Sequence, residues 1–179
     1  ILTDMNNYEL YTGSILLLPL AGFIILSLTG KRFAPRGAGI LATVLLAFTT
    51  LLSWIVAYGY FFEFGKRSGI CQPCRLMDFQ WLPFTDTLSI NIGMTLTPII
   101  AMMLIVISTV SLLVHLYSIS YMKGEERPGS YFAYLQLFTF SMLGLVMAFN
   151  IFQVYFFWEL VGVSSFLLIG FYFKLPAAI

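Results

Sequence analysis

The chain has 179 residues, of which 60 % are hydrophobic, 17 % are aromatic and only 9 % are charged. A soluble domain carries roughly 25 % charged residues, so this composition excludes an ordinary soluble domain and indicates a membrane protein. The net charge of +1 gives no sign of a nucleic-acid partner.

Five apolar stretches are long enough to cross a bilayer, whose hydrocarbon core takes about 20 residues of helix. They cover residues 10–29, 39–64, 90–117, 131–149 and 151–173, with an extramembrane loop over residues 65–88. Asn150 is the predicted break between the last two stretches. A membrane β-barrel would alternate apolar and polar residues, whereas these runs are continuously apolar. The predicted fold class is therefore all-α, a polytopic membrane protein of about five transmembrane helices.

The distribution of basic residues predicts how the chain is oriented. If the N-terminus is external, the cytoplasmic side carries six of the nine basic residues, namely Lys31, Arg32, Arg36, Lys123, Arg127 and Lys174. The opposite side carries Lys66, Arg67 and Arg75. Because cytoplasmic loops are enriched in Lys and Arg, we expect an external, periplasmic N-terminus in the inner membrane of a bacterium.

Glu159 is the only charged residue in the 46 residues from 128 to 173. It lies near the middle of the fifth span, where a charge costs about 2.5–3.5 kcal/mol. Such a carboxyl group either takes up a proton or pairs with a cation. Lys174, on the same helix, is fifteen residues away, or about 22 Å along the axis. We therefore predict that Glu159 is a proton-relay residue whose cationic partner lies in another segment or subunit.

The neighbours of Glu159 fit a relay. Gly162 lies on the same helical face and removes side-chain bulk beside the carboxylate. Ser164 and Ser165 add hydroxyl groups that could hydrogen-bond across helices or hold water. An alternative remains open, in which Glu159 is a neutral acid that ties two helices together through a hydrogen bond.

His115 and a pair of cysteines are the other candidates. His115, near the cytoplasmic end of the third span, is a possible auxiliary proton-transfer residue because histidine titrates near neutral pH. An interfacial hydrogen-bonding role is an equal alternative. Cys71 and Cys74 form C-Q-P-C, but zinc needs four ligands, or three and a water, and no second pair is near. We predict no metal, and leave open whether these cysteines form a local disulfide.

Two stretches of the chain carry a resemblance to a known family. They are LLPLAGFIILSLTGKR and HLYSISYMKGEERPGSYFAYLQLFTFSMLGLVMAFNIFQVYFFWELVGVSSFLLIGFYF. Both resemble NADH-quinone oxidoreductase subunit L, the mitochondrial subunit 5, and the likeness covers nearly the whole chain except the cysteine-containing loop. The resemblance implies that the chain is the N-terminal part of an antiporter-like membrane-arm subunit of respiratory complex I, truncated at its C-terminus.

The same resemblance implies a site and a set of partners. In that family the glutamate of the W-E motif, here Trp158-Glu159, is a proton-channel residue that pairs with a lysine on a later helix. The partners would be the bilayer, protons and the other membrane-arm subunits. NADH, flavin, iron–sulfur clusters and quinone would be bound by other subunits, so that this chain holds no cofactor and no redox centre.

The sequence also departs from the family pattern. W-E-L-V-G replaces the usual W-E-G-V-G, and Phe149 and Thr97 stand where the family usually has Asp. The W-E-L and S-S-F-L-L-I-G forms are also similar to the large subunit of multisubunit sodium/proton antiporters. Three hypotheses follow: a proton-translocating complex I subunit, which we favour, a secondary antiporter subunit, and a non-transporting structural membrane subunit.

Overall fold

The computed structural model describes residues 2–29, 35–64, 74–85, 88–125 and 127–172. Its elements are α1 (Leu2–Thr29), α2 (Pro35–Gly59), β1 (Cys74–Thr85), β2 (Leu88–Leu96), α3 (Pro98–Tyr121), α4 (Pro128–Val146) and α5 (Ile151–Ile169). A π-helical turn, Tyr60–Phe64, extends α2, and a 3-10 turn, Gly170–Tyr172, extends α5.

Five of these helices are long and apolar enough to cross a membrane, which confirms the predicted polytopic helical fold. The candidate spans are Tyr8–Thr29, Gly37–Phe62, Pro98–Tyr121, Pro128–Val146 and Ile151–Ile169. Pro19 lies inside α1 without ending the helix. Membrane helices tolerate such a proline because neighbouring groups satisfy the backbone carbonyl that it leaves free.

The third span differs from its prediction. We expected it to begin at about residue 90, but Leu88–Leu96 forms β2 and the helix begins only at Pro98. The stretch LSINIGMTL alternates apolar and polar or small residues, which is the period of a strand with two different faces. β2 pairs with β1 in an antiparallel hairpin, so the predicted loop over residues 65–88 contains a strand.

Local capping signals set where α3 and α5 begin. The Thr97 Oγ1 accepts a hydrogen bond from the Ile100 backbone N–H at 3.3 Å, and Pro98 takes the first helical position. The Asn150 Oδ1 accepts one from the Gln153 N–H at 2.8 Å. Side-chain oxygens at these positions satisfy backbone donors that a helix leaves free at its N-terminus. Asn150 therefore separates α4 from α5, as the sequence predicted.

The hairpin attaches to the connection between α4 and α5. The Thr95 N–H donates to the Met147 carbonyl at 3.2 Å, and the Asn150 side chain donates to the Asn91 carbonyl. The Gly93 N–H donates to the Gln153 Oε1 at 3.3 Å. These bonds hold the first turn of α5 against β2, and so determine where the rest of that helix lies.

The helix α4 lies at the centre of the bundle, in contact with α1, α2, α3 and α5. Two clusters of buried apolar side chains fill the bundle, one near the hairpin and one near the opposite end. Phe132 on α4 belongs to the second cluster, beside Ala38 and Ala42 of α2. By contrast, α5 packs mainly against α4 and lies at the edge of the described bundle.

Polar side chains inside the bundle bond mostly to the helix that carries them. Ser108, Thr139 and Ser141 each donate to the carbonyl four residues earlier. The Gln136 Nε2 is an exception, since it donates across to the Ala42 carbonyl of α2 at 2.7 Å. Each of these side-chain donors therefore has an acceptor within the bundle, whereas the buried Gln136 Oε1 has no hydrogen-bond partner within the described residues.

Candidate functional site

Glu159 lies at the middle of α5, eight residues after Ile151 and ten before Ile169. At 1.5 Å per residue, the carboxylate is about 12 Å of helix from one end of the span and about 15 Å from the other. The side chain is exposed on the surface of the described bundle. The carboxylate therefore lies near the middle of a helix that is long and apolar enough to cross a membrane.

Glu159 belongs to one continuous exposed face of α5, which we call the open face. Its residues recur at intervals of three and four, the spacing of neighbours on one side of a helix. They are Phe152, Tyr155, Phe156, Glu159, Gly162, Val163 and Phe166. On the opposite side, Gln153, Phe157 and Ser164 are buried against the bundle. The open face thus presents one acid within an aromatic and aliphatic surface.

Tyr155 lies one turn before Glu159 on the open face, close enough for a hydrogen bond between its phenol and the carboxylate. Its ring also lies 6.3 Å from that of Trp158. The sequence analysis did not single out Tyr155. The four-residue spacing of Tyr155 and Glu159 was the signal that could have identified it.

No basic side chain in the described ranges forms an ion pair with Glu159. Lys123, the one described lysine, is exposed in the turn after α3. Lys31, Lys66 and Lys174 lie outside the described residues. Among the described residues, Tyr155 is the neighbour that interacts with the Glu159 carboxylate, and its side chain is a phenol rather than a cation.

The predicted surroundings of Glu159 are partly as expected. Gly162 lies on the open face, and a Cβ added there would meet no atom within 4 Å. The Ser164 and Ser165 hydroxyls both donate to the Val161 carbonyl, at 3.0 and 2.8 Å. Their hydrogens therefore stay within α5, because the carbonyl left partly free one turn back is the nearest acceptor. In the described structure these bonds lie within one helix, so of the two roles predicted for the hydroxyls, bonding across helices and holding water, the first is not seen among the described residues.

His115 is completely buried on α3, with its ring 6.2 Å from that of Phe132 on α4. Its Nδ1 lies 2.8 Å from the Ser111 carbonyl oxygen. Because a carbonyl can only accept, Nδ1 carries a hydrogen, and when the ring is neutral Nε2 is its unprotonated nitrogen. Nε2 has no hydrogen-bond partner within the described part of the chain.

His115 and Glu159 do not belong to one site. Both α3 and α5 pack against α4, and among the described elements α3 and α5 share no extensive packing. His115 faces the interior, whereas Glu159 faces outward. The two titratable residues that the sequence suggested are therefore in separate environments.

Only one of the two cysteines lies within the described residues. Cys71 lies outside the described residues, and Cys74 is the first residue of β1. Within the described ranges, no group of three or more His, Cys, Asp or Glu side chains is placed to hold a metal ion.

Comparisons with known proteins identify relatives of the chain. The profile of the family described as NADH-Ubiquinone oxidoreductase (complex I), chain 5 N-terminus, matches residues 81–132. The chain is 40 % identical over 176 residues to NADH-quinone oxidoreductase subunit L of Neisseria meningitidis, covering 97 % of this chain and 25 % of that protein.

Two further relatives agree with these matches. The chain is 41 % identical to the Rhodobacter capsulatus subunit L, over 93 % of this chain and 23 % of that protein. It is 36 % identical to the chloroplastic NAD(P)H-quinone oxidoreductase subunit 5 of Mesostigma viride, over 97 % of this chain and 26 % of that protein. The chain thus spans about a quarter of the length of these relatives.

Proposed function

Since the chain belongs to the family of NADH-quinone oxidoreductase subunit L and subunit 5, we propose that it forms part of a proton-translocating membrane-arm subunit, in which Glu159 takes up and releases protons. The observation that carries this proposal is the exposed position of Glu159 at the middle of a membrane-spanning helix. Ionisable groups at such depth usually line ion pathways or proton relays.

The energetics of the open face support a covered rather than a lipid-facing carboxylate. A charge facing lipid at the bilayer centre costs about 2.5–3.5 kcal/mol on insertion scales. Tyr155 can donate one hydrogen bond, which offsets only part of the hydration that a carboxylate loses. In the assembled protein we therefore expect another segment or subunit to cover the part of the open face around Glu159 and to bring a basic side chain to this residue.

A movable charge beside Glu159 would make it a relay. When the basic group is close, the carboxylate is held in its ionised form; when the group withdraws, the carboxyl group takes up a proton instead. Each time the basic group withdraws and returns, Glu159 would take up one proton and release it again. The oxidation of NADH and the reduction of quinone would take place on flavin, iron–sulfur clusters and quinone bound by other subunits, with no redox centre in this chain.

The proposed setting is the inner membrane of a bacterium, with the N-terminus on the external side. Subunit L of Neisseria meningitidis and of Rhodobacter capsulatus are bacterial relatives. The excess of basic residues in the segments after α1 and α3 supports this orientation under the positive-inside rule. The partners would be the remaining membrane-arm subunits and the surrounding lipid.

Replacing Glu159 by Gln in the complete subunit tests the proposal. The change removes the titratable group and keeps its size and hydrogen-bonding capacity, so the complex should assemble. We expect the rate of proton pumping to fall about a hundredfold or more, the range typical of a lost proton-transfer group. Pumping is measured by a pH-sensitive dye in inverted membrane vesicles, with Glu125→Gln, outside the candidate spans, as the matched control.

The same variant separates the alternatives. If Glu159 only ties helices together, Gln still forms the hydrogen bond and pumping stays at the wild-type level, which would contradict the proposal. A sodium/proton antiporter subunit would also lose exchange in this variant. It would instead purify without NADH-oxidising activity, and that result would exclude the complex I assignment.

His115 is proposed as an auxiliary proton-transfer residue of the bundle interior. Its neutral ring offers an unprotonated Nε2 in a buried position, held in one orientation by the Ser111 carbonyl. A ring held in this way can accept a proton at Nε2 without rearrangement at Nδ1. Because α4 separates His115 from α5, His115 would act on a different segment of the pathway from Glu159.

A further inference from the structure

A cleft of about 350 Å³ lies between the beginning of α4 and the end of α5. Arg127, immediately before α4, and Ser130 and Tyr134, in its first two turns, line one side. Phe166, Leu167 and Phe171 line the other side. The cleft therefore combines a cation and two hydroxyl groups with an apolar wall.

The polar and apolar groups of this cleft lie at different depths. The two helices run antiparallel, so the beginning of α4 is level with the end of α5. Arg127 and Ser130 thus lie near the membrane surface, beside Gly170. Phe166 and Leu167 lie about one turn, or roughly 5 Å, deeper. The rings of Tyr131 and Phe171, 5.5 Å apart, pack beside the cleft.

We propose that this cleft binds one anionic phospholipid, with the phosphate at Arg127 and Ser130 and an acyl chain along Phe166 and Leu167. The guanidinium and hydroxyl groups are donors that match phosphate oxygens. Basic pockets between membrane helices bind lipid headgroups in this way. The apolar wall extending into the bilayer favours a lipid over free phosphate, because an inorganic ion would leave that wall uncovered.

A second groove of the molecule lacks this combination. It measures about 520 Å³ and lies between the hairpin and the start of α5, with Phe79, Trp81 and Phe152 among its lining residues. Its described lining contains no basic side chain. Nothing in its chemistry distinguishes a lipid from a neighbouring helix there, so the proposal concerns only the cleft at Arg127.

The test uses the complete subunit in its native complex, reconstituted in phosphatidylcholine vesicles that contain a small fraction of phosphatidylglycerol with a photoreactive acyl chain. Labelling at residues 166 and 167 is quantified by mass spectrometry. Arg127→Gln should lower it about fivefold, which is the effect of one basic residue near an anionic lipid. Lys123→Gln, an exposed cation in the same turn but outside the cleft, should leave it unchanged.

A second variant tests the apolar wall with Arg127 intact. Leu167→Trp fills the cleft and should abolish labelling of Phe166 by the same lipid. Equal labelling in Arg127→Gln and wild type would overturn the proposal, as would equal labelling by a photoreactive phosphatidylcholine. Loss of labelling on addition of millimolar inorganic phosphate would likewise overturn it, in favour of a site for free phosphate.

Discussion

The helices α4 and α5 are neighbours of equal length, 19 residues each, but they differ in how the chain uses their polar groups. Over an apolar window of 18 residues, 56 % of the residues of α4 are buried, against 17 % of those of α5. The buried polar groups Gln136, Thr139 and Ser141 of α4 donate to carbonyls of the bundle. On α5, Glu159 and Tyr155 lie on the open face and interact with each other.

The buried polar side chains of α4 contribute to the structure of the bundle, whereas we propose a functional role for the exposed polar side chains of α5. A polar group inside a membrane bundle is stabilised by hydrogen bonds, and the Gln136, Thr139 and Ser141 donors find acceptors within the bundle, although the Gln136 Oε1 has no partner among the described residues. The Glu159 carboxylate has the Tyr155 phenol beside it but no cation among the described residues, so we propose a role that requires a group beyond the described bundle. The helix with fewer buried residues is therefore the one on which we propose that proton transfer takes place.

The largest effect on stability is expected at the contact between these two helices. A Cβ at Gly144 would overlap the ring of Phe157, which is buried and packs edge-on against Phe140 at 5.6 Å. Gly144→Ala should therefore destabilise the protein by about 1–3 kcal/mol, the usual cost of overpacking. The matched change Gly13→Ala, on α1 and away from the open face, meets no atom within 4 Å.

Thermal unfolding of the detergent-solubilised complex compares the two glycine variants. We expect a lower Tm for Gly144→Ala and an unchanged or slightly higher Tm for Gly13→Ala. Equal Tm values would mean that α4 and α5 are less closely packed than described here.

Tyr155→Phe tests whether the Tyr155 hydroxyl assists Glu159 in proton transfer. It removes the phenol hydroxyl and keeps the ring, so assembly should be normal. Loss of one hydrogen bond to a charged group should reduce proton pumping by about tenfold. Tyr117→Phe is the matched control, since Tyr117 is 69 % exposed and Tyr155 is 58 % exposed. If both variants pump like the wild type, Tyr155 does not assist Glu159.

His115→Gln asks whether the interior also takes part in proton transfer. Glutamine cannot take up a proton at this position, so pumping should decrease several-fold, less than in Glu159→Gln, while the complex remains assembled. Ser118→Ala, a change at a buried polar residue one turn on, controls for altered packing. Normal pumping in His115→Gln would mean that His115 has only a structural role. Proton transfer would then depend on α5 and not on the interior of the bundle.

Much of the fold could be predicted from the sequence because the bilayer imposes a strong and simple pattern. Twenty-residue apolar runs predicted five helices, and Asn150 predicted the break between α4 and α5. The start of the third helix was missed because β2 is nearly as apolar as a span, and only its alternation distinguishes it. The hydrogen bonds that attach this hairpin to the connection between α4 and α5, through Thr95 and Gly93, could not be predicted because they join residues far apart in the sequence.

The sequence predicted Glu159 as the main residue of the candidate site, but it did not predict which residues surround Glu159 in space. Glu159 stands out as a single charge in a long uncharged run, and that signal needs no structure. Which side of α5 is open depends on how Phe157 and Ser164 pack, and that is a property of the bundle. The separation of His115 from Glu159 by α4 is likewise a consequence of helix order in space.

The central claim, that Glu159 changes its protonation state during turnover, can be measured directly by infrared difference spectroscopy of the complete complex in membranes. NADH-driven turnover should produce a carbonyl stretching band of a protonated carboxyl group that is absent from Glu159→Gln and present in Glu125→Gln. Absence of any turnover-dependent band that depends on Glu159 would contradict the account.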